Sequence, residues 1–112
     1  MVIINYSWYK NAFFKLATTD LTTVYTCPAN TTALIKTIQM TNEHATNNTI
    51  ELFITDTSAS ITYEFYHEDM SAGTTSNGAI GTIVLEAGDI LKIQSETVDV
   101  VEGTVSLVEI DF

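Results

Sequence analysis

The sequence predicts an all-β fold, a single antiparallel β-sandwich of about eight strands with an N-terminal arm, and three observations carry that expectation. Valine, isoleucine and threonine supply 39 of the 112 residues, and their branched β-carbons suit a pleated surface while losing rotamer freedom in helices. Apolar and polar residues alternate with period two in Ile50-Glu51-Leu52-Phe53-Ile54-Thr55 and in Ile61-Thr62-Tyr63-Glu64-Phe65, as in strands with one buried face. Turn formers recur every 8–12 residues or so, which favours a two-layer sandwich of jelly-roll or immunoglobulin-like type.

The elements follow in order. Residues 1–11 form the expected arm, and residues 12–112 the sandwich. Val2, Ile3, Ile4, Tyr6, Trp8, Tyr9, Phe13 and Phe14 concentrate apolar and aromatic area ahead of the regular alternation, and that area needs a cover. Either the segment folds back as an edge strand of its own sandwich, or it lies on a neighbouring subunit. The second is the expectation, because tyrosine and tryptophan place rigid area with a polar tip and an extended arm can add a strand to an open edge. These eight residues are therefore the predicted subunit interface. Strands are then expected at Ala12–Ala17, Thr23–Cys27, Ala33–Thr41, Ile50–Thr55, Ile61–Phe65, Gly81–Leu85, Ile90–Gln94 and Thr104–Ile110.

Asp20, Pro28-Ala29-Asn30, Asn42 to Asn48, Asp56 to Ser60 and Ala87-Gly88-Asp89 separate them, each bringing glycine, proline or local side-chain hydrogen bonds. The longest separator runs from Ser71 to Gly78. Within it Gly73, Thr74, Thr75, Ser76, Asn77 and Gly78 are expected to form an exposed loop able to recognise a partner.

Composition excludes several function classes. Four lysines, no arginine and fourteen acidic residues leave a formal net charge of −10, the wrong sign for a phosphate backbone or an anionic membrane. No nucleic-acid or membrane partner is expected. Residues 61–112 hold ten of the acids and a single lysine, so one side of the molecule should be strongly negative, as a solvated face that resists nonspecific contact. The N-terminus lacks the basic flank and cleavage site of an export signal. Cys27 is the single cysteine, which precludes an internal disulfide and suits a reducing compartment.

No catalytic group, cofactor or metal is expected. His44 and His67 lack close ligand spacing, and alternation sends neighbours in His67-Glu68-Asp69 to opposite faces of a strand. There is no G-x-S-x-G elbow, no dinucleotide fingerprint and no Walker loop.

Two phrases carry a resemblance. Val24-Tyr25-Thr26-Cys27-Pro28-Ala29-Asn30-Thr31-Thr32-Ala33-Leu34-Ile35-Lys36-Thr37-Ile38, with Thr41-Asn42 soon after, and Leu85-Glu86-Ala87-Gly88-Asp89-Ile90-Leu91-Lys92-Ile93 resemble small β-sandwich virion proteins of tailed bacteriophages. Those often open one strand pair with Y-T-x-P-A-x-T-x-A and close another with L-x-A-G-D-x-L. Cys27 stands where valine is usual, and the aromatic arm has no counterpart in the phrase. The resemblance implies a non-enzymatic virion protein, made in the host cytoplasm. It would be a homo-oligomer that decorates or cements a capsid through the major capsid protein, or a neck, tail or fibre component. A separate reading is a glycan or host-surface recognition module using Trp8, Tyr63, Tyr66 or the Ser71 to Gly78 loop.

Overall fold

Two antiparallel sheets face each other in the computed structural model, which describes residues 6–112. Nine strands build them: β1 Ser7–Lys15, β2 Thr22–Thr26, β3 Thr31–Asn42, β4 Asn48–Asp56, β5 Ile61–Met70, β6 Thr75–Asn77, β7 Ile83–Leu85, β8 Ile90–Ser95 and β9 Val101–Asp111. One sheet runs β1-β9-β3, with the short strands β6 and β7 sharing the far edge of β3; the other runs β2-β8-β4-β5. No helix occurs among the described residues, as the β-branched composition requires, so none is long and apolar enough to cross a membrane. The accessible surface, 6310 Å², is close to the roughly 6,100 Å² expected for a folded chain of this mass. The body is elongated, 58 × 27 × 22 Å.

The core fills the space between the sheets. From the first sheet it takes Ala33, Ile35, Ile38, Met40, Leu85, Val101, Val105 and Leu107, and from the second Tyr25, Ile50, Leu52, Met70, Leu91 and Ile93. Three bulges decide which residues reach it. At Lys36 the register of β3 on β9 slips by one, so the buried series passes from the odd positions Ala33 and Ile35 to the even positions Ile38, Met40 and Asn42. Val24 in β2 and Phe65 in β5 are likewise left without a partner opposite, and each reverses the facing of its strand.

The two phrases of the sequence meet in space. Cys27 N donates to Asp89 O and Gly88 N donates to Cys27 O, both at 2.9 Å, so the end of β2 is tied to the Glu86–Asp89 turn. Gly88 takes φ 89° there, a value glycine adopts without strain. Buried Cys27 adds weak contacts from its Sγ to Thr31 O at 3.3 Å and Leu85 O at 3.7 Å, and burial pushes its thiol up from the ordinary range.

The structure revises two expectations. The boundary placed between residues 11 and 12 falls inside β1, which pairs residue for residue with β9 from Ser7↔Ile110 to Lys15↔Glu102. The described part of the arm is therefore an edge strand of its own sheet, the alternative weighed against the neighbouring-subunit reading. The segment expected to be an exposed loop contains β6, in which Thr75 and Asn77 pair with Thr41 and Gln39. Asn77 Oδ1 accepts from Ile38 N and Ala79 N, and Gly78 is buried under Leu52 and Met40. Within that segment Gly73 and Thr74 keep the loop character that was expected, whereas Thr75 to Gly78 belong to the sheet edge.

Candidate interaction surfaces

The two outer faces differ in chemistry. Residues directly opposite each other in an antiparallel ladder share a face, so the register alone defines a row across the first sheet: Tyr9, Val108, Leu34 and Val84 on β1, β9, β3 and β7. Ile110 lies beside this row and Phe13 further along β1. Tyr9 is 92% exposed and Phe13 78%. On the second sheet one corresponding row is polar, Gln94, Glu51 and His67, and the next sets Phe53 between Lys92 and Glu64.

Of the predicted interface residues, Val2, Ile3 and Ile4 lie outside the described residues. Tyr6 and Trp8 stack with ring centroids 5.8 Å apart and 30° between planes. Tyr9 and Phe13 point outward, and Phe14 packs on the core beside Gly103. The structure thus spreads the described members over both sides of one edge strand. Sequence reasoning missed Leu34, Val84, Val108 and Ile110, because each sits in a strand whose outward positions become visible only once bulge and register are known.

A recess of about 510 Å³ opens where Trp8 and Lys10 approach Pro28, Thr31, Glu109 and Asp111. Glu109 is its buried floor. It accepts from Tyr25 Oη at 2.5 Å and from Lys10 Nζ at 3.4 Å, which compensates burial of the carboxylate. Burial first, and the Glu109 carboxylate second, push the Tyr25 hydroxyl above its ordinary range, so it stays a donor. Tyr63 is exposed, while Tyr66 is half-buried with its hydroxyl on Glu68 Oε2 at 2.9 Å.

A second groove, about 530 Å³, lies on the polar face beside Thr49, Glu51, His67, Gln94 and Glu96. At its rim the bulge at Phe65 changes which side chains meet. Positions 64 and 67 of a regular strand face opposite ways, but the extra residue brings Glu64 and His67 to one side. His67 Nδ1 lies 3.1 Å from Glu64 Oε1 and 4.0 Å from Glu51 Oε1. Among the described residues this is the one group that brings three metal-capable side chains within 4.8 Å. His67 Nδ1 itself sits between the two carboxylates and hydrogen-bonds Glu64, so the triad is accounted for as a side-chain hydrogen-bonded cluster.

Burial, and after it the neighbouring Glu64 carboxyl, pushes Glu51 up from 4.5. A carboxyl that is harder to ionise when folded disfavours the folded state at pH values above its unfolded pKa and ceases to do so below it. Glu51→Gln should therefore raise the melting temperature at pH 7, with the gain vanishing below about pH 4.5. Thermal unfolding at both pH values checks this, and a gain of equal size at both would contradict it.

No protein-family model matches the sequence, and the search of curated proteins returns no match. The fold is similar to that of a chain in the acid-stable capsid of Helicobacter pylori bacteriophage KHP30, with TM-score 0.61, 13% identity and coverage of 96% of this chain and 93% of that one. It is also similar to a chain from Bacillus endospore appendages, described as disulfide-linked pili, with TM-score 0.55, 9% identity and coverage of 96% and 87%. At such identities the likeness is one of fold.

Proposed function

We propose that this chain is a non-enzymatic structural protein of a tailed-bacteriophage virion, and within that class a capsid decoration or cement protein that stabilises the shell through subunit contacts. One observation carries the reading: the outer face of the first sheet presents a continuous apolar row, Tyr9, Val108, Leu34 and Val84, flanked by Ile110. Contiguous exposed apolar surface of this kind marks a contact face. The acidic remainder, at a net charge of −10 overall, limits indiscriminate adhesion and gives no support to a nucleic-acid or membrane partner. The shared fold with a phage capsid chain supports the virion reading. A disulfide-linked polymer is disfavoured, since the sole cysteine, Cys27, is buried.

Immunogold electron microscopy of particles from a producing culture tests the assignment, with antibodies raised against the purified protein. Label over heads is the expected result; label over tails or fibres moves the protein to a neck, tail or fibre role, and particles without label overturn the virion reading. A second reading rests on the recess at Trp8. An aromatic ring beside Lys10, Glu109 and Asp111 has the mixed apolar and polar lining of a sugar site, and a glycan array showing saturable binding lost in Trp8→Ala would favour it.

A further inference from the structure

We propose that two copies of this chain pair antiparallel along the free edges of β1, about a two-fold axis through Asn11, joining two sheets into one. The inference rests on the assembly reading above and names a partner for it, a second copy. β1 is the terminal strand of its sheet, nine residues long and exposed at most positions. A long open edge carries unpaired N–H and C=O groups and is a template for another strand.

The register follows from symmetry. A two-fold axis normal to the sheet pairs residue i with residue j and j with i, and both must face the same way, so the paired numbers have an even sum. Centring on Lys10 sets the two lysines against each other, and centring on Ala12 sets Tyr9 against Lys15. Centring on Asn11 does neither. It pairs Tyr9 with Phe13 on the outer face and Trp8 with Phe14 on the inner side, and it leaves Lys10 opposite Ala12. Asn11 is also the midpoint of Ser7–Lys15, so this register alone overlaps the full strand. Aromatic cross-strand pairs are among the favourable ones.

Charge agrees with the choice. Ser7 to Lys15 contains two lysines and no acid, and these pair with Glu109 and Glu102 of β9, so the pairing edge is locally near neutral in a chain whose net charge is −10. Added salt, which screens the remaining repulsion, should therefore strengthen the dimer.

Cysteine cross-linking of the full chain reads the register. Under mild oxidation Asn11→Cys is expected to give a disulfide dimer on a non-reducing gel, Lys15→Cys alone is not, and Lys15→Cys mixed with Ser7→Cys is. Buried Cys27 makes the unaltered chain the blank. In sedimentation the double variant Tyr9→Asp/Phe13→Asp, at exposed positions, should retain its sheet spectrum and weaken dimerisation by about tenfold or more. A monomeric wild-type chain, or equal cross-linking of Asn11→Cys and Lys15→Cys, overturns the pairing. The immunogold result is independent of it. Labelled heads without the cross-link sink the pairing and keep the virion role, whereas the cross-link without label does the reverse.

Discussion

Gly103→Ala is expected to destabilise the fold by about 3 kcal/mol and to lower the melting temperature by about 15 °C. Gly103 lies in β9, between β1 and β3, opposite Phe14 on one side and Met40 on the other. A β-carbon there would run into the carbonyl oxygen of Gln39 and come to 2.9 Å from Phe14 Cζ. The phenyl ring can move, but the Gln39 carbonyl belongs to a long ladder and cannot yield without shifting β3 against β9. Gly73→Ala is the contrast. Open space surrounds it, and only its φ of 68° opposes substitution, so about 1–2 kcal/mol is expected. Urea and thermal unfolding compare the two, and near-equal losses would show that β9 and β3 tolerate wider spacing.

Asn42→Ala should cost about 3 kcal/mol, with the damage localised at one end of the sandwich. The side chain is fully buried. Its two Nδ2 hydrogens serve the carbonyls of Thr46, Met70 and Ser71 at 3.2, 3.1 and 3.3 Å, one of them shared between two acceptors, and its Oδ1 accepts from His44 N at 3.0 Å. One carboxamide therefore satisfies backbone groups of the β3–β4 connection and of the end of β5. Removal takes this donor from the buried Met70 carbonyl and leaves the His44 N–H without its side-chain acceptor, a loss with no compensating contact. Amide exchange should accelerate across residues 43–47 and 71–74, while the ladder between β3 and β9 stays protected. Asn42→Asp should be at least as damaging at neutral pH, because it faces those carbonyls with a buried negative charge, and acidification should relieve it. Uniform acceleration of exchange across the whole chain would contradict a local role.

Much of the fold was legible because period-two alternation is a local property. Ile50 to Thr55 sits in β4 as the alternation requires, Ile61 to Phe65 lies in β5 although Ile61 and Tyr63 stay exposed and Phe65 is the bulge, and the Ala87-Gly88-Asp89 turn falls between β7 and β8. Strand ends were less legible. β5 continues to Met70 through His67-Glu68-Asp69, where charged residues on an edge strand imitate a loop. β1 begins well before the regular alternation, because an edge strand with both faces half-exposed is under no pressure to alternate. β6 was hidden in Thr75-Ser76-Asn77, whose composition is that of a turn and whose pairing depends on β3, more than thirty residues earlier.

The candidate surfaces were harder still. The interface prediction named aliphatic and aromatic residues near the start of the chain, but the apolar row on the outer face draws equally on Leu34, Val84 and Val108. Glu51, Glu64 and His67 meet because of a single extra residue at Phe65.

By itself the amino-acid order determined a strand-rich chain with turns at regular spacing, a strongly acidic balance and one cysteine, since propensity, periodicity and charge are read residue by residue. Only the tertiary structure decided which face each residue occupies and which strand lies at an edge. A one-residue bulge reverses every side chain beyond it, and an edge is defined by the neighbour a strand lacks, so both depend on partners distant in the chain.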